Sequence, residues 1–146
     1  MLRARSLWPK NAWAPWRRLK VLVTDDNRDA LSTLVTLLEI EGHKVRGVDR
    51  SADVLGAAGE FRPDVVILDL QMPDISGYDL ARWLRSRHPR HCPLLIAVTG
   101  AFTRPADEKL SRIAGFDHYL TKPFEIEDLR SLLAESSAQK PVSTKA

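Results

Sequence analysis

The stretch Val65-Val66-Ile67-Leu68-Asp69-Leu70-Gln71-Met72-Pro73-Asp74-Ile75-Ser76-Gly77 decides how the chain folds. Four aliphatic residues in a row, opened by Pro63-Asp64 and stopped at a carboxylate, predict a strand buried on both faces. Gln71 to Ser76 then forms a loop. It leads into a helix around Asp79-Leu80-Ala81-Arg82-Trp83-Leu84 that stops near Pro89.

The same alternation repeats in both directions. Upstream, Leu19-Lys20-Val21-Leu22-Val23 predicts a strand that stops at Thr24-Asp25-Asp26-Asn27. A helix of about 14 residues follows, with Ala30, Leu31, Leu34, Val35, Leu37 and Leu38 at helical spacing and Gly42 at its end. Lys44 to Val48 is a second strand, and Ser51 to Glu60 a short helix of small residues. Downstream, Leu94 to Val98 is a fourth strand ending at Thr99-Gly100, and Pro105 opens a helix that Ala106 to Ala114 carries to Gly115. His118-Tyr119-Leu120 is a fifth strand ending at Thr121-Lys122-Pro123, and Ile126 to Ala134 is the last helix. Five strands, each followed by a helix, predict an α/β fold with a doubly wound parallel sheet covered on both faces. Right-handed crossovers leave few topologies, one of which is the flavodoxin-like order 2-1-3-4-5. Alternation alone does not separate this from a nucleotide-binding fold; the residues at the strand ends do.

In an open parallel sheet, ligands bind outside the carboxyl ends of the strands. Those ends carry Asp25 and Asp26, Asp69, Thr99 and Lys122, from strands one, three, four and five. Carboxylates gathered at one edge repel unless they share a cation or protons. Oxygen-only ligands with room for water favour Mg²⁺, for which Mn²⁺ could substitute. No His or Cys pair stands at zinc-binding spacing. A carboxylate beside a divalent ion and an ammonium suits phosphoryl transfer, with Asp as acceptor. Any one of these residues reads most simply as a strand-end cap or surface charge; all of them at matching strand ends do not.

Composition sets the outer bounds. A chain of 146 residues with 44% apolar and 28% charged residues fits one globular domain, and its single cysteine, Cys92, excludes a disulfide framework. No run approaches the roughly 18 apolar residues of a membrane span. The net charge of +3 is uneven: the first twenty residues hold six bases and no acid, leaving sixteen bases against nineteen acids. Trp8, Trp13 and Trp16 share that basic lead, which Pro9 and Pro15 interrupt. The lead has no signal-peptide core. Its composition admits a transit peptide, a linker, an early start codon or contact with a partner or anionic surface. The expected organisation is a flexible extension over residues 1–18, a domain over 19–135 and a polar tail over 136–146. The acidic domain is not expected to bind nucleic acid.

From about Leu19 to Ala134 the chain resembles the receiver domain of two-component response regulators, the CheY-like fold. The matching segments are Val21 to Asn27, Val66 to Gly77, Ala97 to Gly100 and Tyr119 to Phe124. The resemblance implies that Asp69 accepts a phosphoryl group from a sensor histidine kinase or a histidine phosphotransfer protein. Asp26, Asp69 and the backbone carbonyl of Gln71 would ligate Mg²⁺ directly, and Asp25 mainly through water. Lys122 would pair with the acceptor and then the phosphoryl group, while Thr99 and Tyr119 would switch. That switch would repack the face of the fourth helix, fifth strand and fifth helix, including Arg104–Gly115, against an unknown output protein. The Lys122–Pro123 bond is expected cis. The resemblance also implies a cytoplasmic monomer or phosphorylation-dependent dimer that catalyses only its own phosphorylation and dephosphorylation. The alternative function is a scaffold or phosphate sink without a phosphorylation-driven output.

Other classes fit less well. A haloacid-dehalogenase-type phosphohydrolase wants an acid two residues after its nucleophile, where Gln71 stands, and the turn after the first strand lacks G-x-G-x-x-G. His43, His88, His91 and His118 are expected in surface or capping roles, Cys92 as a buried thiol, and Arg82, Arg85, Arg87 and Arg90 as a solvated face.

Overall fold

The computed structural model describes residues 18–90, 92–100 and 115–134. Its strands are β1 (Lys20–Thr24), β2 (Lys44–Val48), β3 (Val65–Asp69), β4 (Leu94–Thr99) and β5 (His118–Thr121). They pair in parallel as β2-β1-β3-β4-β5, the expected order. The helices are α1 (Arg28–Ile40), α2 (Val54–Phe61), α3 (Gly77–Arg87) and a last helix over 126–134, four among the described residues. The helix expected over Ala106 to Ala114, the extension up to Arg17 and the tail from Ser136 lie outside the described residues.

Side chains one apart on a strand face opposite ways, so the sheet builds two cores. Val21, Val23, Val65, Ile67, Ile96 and Val98 pack with Leu38 of α1 and Leu129 and Leu133 of the last helix. Leu22, Val66, Leu68, Leu95 and Ala97 pack with Val54, Ala57, Ala58, Leu80, Ala81 and Leu84 of α2 and α3. All five residues of β3 are buried, as a central strand covered on both faces requires.

Local signals fix the helix ends. The Asn27 side chain accepts the Ala30 amide at 3.0 Å and starts α1, and Gly42 (φ 103°) ends it in the left-handed region that glycine favours. Ser76 accepts the Tyr78 amide at 3.1 Å, so α3 begins at Gly77, ahead of the expected start. A Cβ on Gly77 would stand 2.6 Å from Leu70 Cδ2 and 3.3 Å from Leu70 Cα, so a larger residue at this helix start would have to push the Leu70 side chain aside. The helix expected from Ser51 divides into a 3₁₀ turn over Ser51–Asp53 followed by α2.

Two expectations are corrected. Arg85 does not belong to a solvated row: Nε donates to the Gly115 carbonyl at 2.8 Å, and Nη2 donates to the same carbonyl and to Asp117 Oδ2 at 2.8 Å. Asp117 Oδ2 also accepts the Leu95 amide at 2.8 Å, so one guanidinium ties α3 to the starts of β4 and β5. Cys92 is half-buried and receives a bond from Arg85 Nη1 at 3.3 Å; burial pushes its thiol up, against the lowering by Arg85.

At the opposite end of β1, the Leu19 amide donates to His43 Nδ1 at 3.2 Å, which requires a neutral ring. Burial holds His43 below its usual range and Arg18 adds to this, while Glu41 opposes it. The contribution is present above the unfolded value of about 6.5 and lost as pH falls through the lowered folded value. Urea unfolding from neutral to mildly acid pH is expected to show a steeper loss of stability for the native sequence than for His43→Gln. Parallel curves would exclude this latch.

Candidate functional site

The carboxyl ends of β1 and β3 are adjacent, and backbone bonds set the direction of their acids. The Asp25 amide donates to the Val48 carbonyl at 3.1 Å, continuing the β1–β2 ladder past the strand end. Asp25 Oδ1 accepts the Asn27 amide at 2.9 Å, which turns the chain into α1. Asp69 is 4% exposed. Its amide donates to Thr24 Oγ1 at 3.0 Å, and that hydroxyl donates to the Ile67 carbonyl at 3.1 Å. Asp69 Oδ1 accepts the Gln71 amide at 2.8 Å, so the loop after β3 folds back onto the acid.

The result is a tight anionic cluster. Carboxylate oxygens of Asp25, Asp26 and Asp69 lie within 4.8 Å of one another, Asp26 exposed and the other two buried. Lys122 Nζ reaches Asp69 Oδ2 at 3.1 Å and Asp25 Oδ2 at 3.3 Å. Burial by itself lowers the Lys122 pKa, but the hydrogen bonds and charges of Asp69 and Asp25 outweigh it and hold the ammonium above its ordinary range. One lysine cannot neutralise three carboxylates, and an all-oxygen donor set fits a hard divalent cation.

The remaining expected residues gather around this cluster. Thr99, buried, ends β4, and its carbonyl accepts the Lys122 amide at 2.8 Å. The Lys122–Pro123 peptide bond is cis. The Gln71 carboxamide oxygen accepts the Gly100 amide at 3.1 Å, tying the loops after β3 and β4 together. Tyr119, half-buried on β5 opposite Ala97, packs on the α2–α3 core, on the rung of Leu68 and two strands across from it. A groove of about 710 Å³ leads from Asp25 and Asp69 between Leu34 and Leu37 of α1 and Phe124 and Ile126.

A family model described as the response regulator receiver domain matches residues 21–134. The chain belongs to this family. Among curated relatives, the polar-differentiation response regulator DivK of Brucella anthropi is 32% identical over 121 residues, which cover 80% of this chain and 97% of DivK. Among solved structures, the chemotaxis protein CheY4 of Vibrio cholerae is similar with a TM-score of 0.75 at 25% identity, over 82% of this chain and 98% of that one. The receiver domain of Saccharomyces cerevisiae Ssk1, crystallised with the histidine phosphotransfer protein Ypd1, shares the fold. In that match the TM-score is 0.78 and the identity 19%, over 86% of this chain and 92% of the matched chain. The chain is therefore a receiver of phosphorylation-dependent, two-component signalling, and its acidic pocket fits the phosphoacceptor site of such domains.

Two supporting residues were not read from the sequence. Thr24 is the buried link between β1, β3 and the Asp69 amide. Ser51 Oγ donates to the Pro73 carbonyl at 2.8 Å and accepts the Ile75 amide at 3.1 Å, which braces the loop after β3. A hydroxyl at the end of an apolar strand was the only signal for Thr24, and Ser51 carried none. Thr24→Val leaves the Asp69 amide and the Ile67 carbonyl without this partner, and is expected to cost about 1–3 kcal/mol. Denaturant unfolding measures the cost, and amide chemical shifts at Asp69 and Leu70 should move with it. A variant as stable as the native receiver would refute the role.

Proposed function

We propose that Asp69 is the phosphoacceptor of this receiver, and that it takes its phosphoryl group from a histidine of a sensor histidine kinase or phosphotransfer protein. The observation that carries this reading is the placement of Asp69, buried beside Asp25 and Asp26 and bonded to Lys122. A divalent ion, Mg²⁺ or Mn²⁺, would be held by Asp26, Asp69 and the Gln71 carbonyl, with Asp25 acting through water. When bound, it supplies charge neutralisation at the phosphoryl oxygens. An Asp69 carboxylate oxygen attacks phosphorus; the P–O bond forms as the P–N bond breaks, and the electron pair returns to the donor imidazole. Lys122 then exchanges its bond to Asp69 for one to a phosphoryl oxygen, and the Thr99 hydroxyl moves to another. Water reverses the modification, so the domain catalyses only its own phosphorylation and dephosphorylation. Gln71 offers no acid for phosphomonoester turnover, and its side chain is already bonded to Gly100.

The co-crystallised phosphotransfer protein of the yeast receiver supports a donor of this class. Movement of Thr99 would draw Tyr119 inward and reshape the face of β5 and the last helix. That face holds a cavity of about 350 Å³ lined by His118, Leu120, Asp128 and Leu132, which suits an output partner. The rest of that output face, Arg104 to Ala114, lies outside the described residues. We read the domain as residues 19–135, working in the cytoplasm as a monomer or phosphorylation-dependent dimer.

Incubation with acetyl phosphate and Mg²⁺, read by intact mass, is expected to add one phosphate. The gain should vanish in Asp69→Asn and with EDTA, and fall strongly in Asp26→Asn. No addition from acetyl phosphate or a phosphorylated kinase would favour a scaffold. Multiple turnovers of a phosphomonoester would make the domain an enzyme instead.

A further inference from the structure

Gln71 meets the acidic site through both of its ends. Its backbone amide donates to Asp69 Oδ1 at 2.8 Å, and its carboxamide oxygen accepts the Gly100 amide at 3.1 Å. One residue thus spans from the acidic cluster to the first amide beyond β4. A Cβ built on Gly100 would lie 3.4 Å from Gln71 Oε1 and 3.9 Å from Lys122 Cβ. Gly100 therefore sits beside the two residues that are hydrogen-bonded to the Asp69 carboxylate. The bond between Gln71 and Gly100 is exposed, so water could satisfy the amide in its place. Burial does not account for it.

A phosphoryl group on Asp69 brings close to two negative charges and three strong acceptor oxygens to this edge. Lys122 and the Thr99 hydroxyl serve two of those oxygens on the reading above, and the backbone N–H that follows Thr99 is a further donor beside them. In the unmodified molecule a neutral carbonyl oxygen holds that N–H. An ionised oxygen accepts a bond roughly twice as strong. We propose, on the reading of Asp69 as the phosphoacceptor, that the Gln71 carboxamide is a placeholder on the Gly100 amide. It stays there while Asp69 is unmodified, and a phosphoryl oxygen displaces it. Gln71 is then a positioning residue that acts through Gly100. Its bond opposes the arriving anion by the strength of one neutral hydrogen bond, which lowers affinity about two- to tenfold. Its release also unties the loop after β3 from the residue next to Thr99, so the two states differ by one definite break.

The test titrates beryllofluoride with Mg²⁺, a tetrahedral stand-in for the phosphoryl group, into the full chain. Amide chemical shifts give the affinity, and solvent exchange of the Gly100 amide reports whether that N–H is held. In the native chain this amide is expected to exchange slowly both before and after the anion binds. Gln71→Met keeps a side chain of similar length and removes the acceptor oxygen. Its Gly100 amide should exchange faster in the free protein and slow again on binding, and its affinity for beryllofluoride should rise about two- to tenfold. Should that variant fail to fold, Gln71→Ala gives the same two readings. Unchanged or weaker binding in the folded variant overturns the placeholder and leaves Asp69 as acceptor. So does a Gly100 amide that the bound anion leaves unprotected. A native chain that binds no beryllofluoride, or binds it no better than Asp69→Asn, removes the acceptor reading and the placeholder with it.

Discussion

Three carboxylates stand at the carboxyl edge of one sheet with a single ammonium between two of them, and much of the molecule is arranged around that imbalance. Two unit charges about 4 Å apart at an effective dielectric near 20 interact by about 4 kcal/mol. Such repulsion is borne only where the backbone cannot relax away from it. Parallel pairing meets this need. β1 and β3 are neighbours in register, so their ends deliver Asp25 and Asp69 to the same point, and β5 brings Lys122 past Thr99 from the other side. The cluster is left under-neutralised, which makes it a place for a cation and a poor resting place for anything else.

The site is also fastened to the core. Thr24 closes a short chain of hydrogen bonds from the Ile67 carbonyl to the Asp69 amide, inside the sheet. Gln71 and Ser51 extend that fastening through the loop that follows. The acids are therefore held by strand geometry and by three neutral side chains, and need no long flexible arm. Lys122 is the exception: its reach comes from an aliphatic stem, which suits a group that must change partners.

The sequence made the architecture legible because burial on two faces leaves an unmistakable trace. Val65 to Leu68 predicted a strand buried on both faces, and the alternation around it left the order the sheet adopts among a few topologies. Strand-end acids were equally visible, since Asp25, Asp26 and Asp69 each interrupt an apolar run. Position along the chain says less about hydroxyls and long side chains. Ser51 sits on a 3₁₀ turn that small-residue composition blurs into α2, and its bonds run to a loop more than twenty residues away. Arg85 looked like one of four arginines on a wet helix because helical spacing reports a face, not the distance a guanidinium can span. Gly77 was legible as a landmark, but its reason, the nearness of Leu70, belongs to three dimensions.

That reach of Arg85 bears on how β5 can move. Asp117, just before the strand, is gripped by Arg85 and by the Leu95 amide, whereas Lys122 lies just beyond the other end. The far end is fastened too, since the Lys122 amide is bonded to the Thr99 carbonyl and each residue of β5 between has its partner on β4. The cation is thus moored to the sheet by its backbone while its long side chain alone spans the gap to the acids.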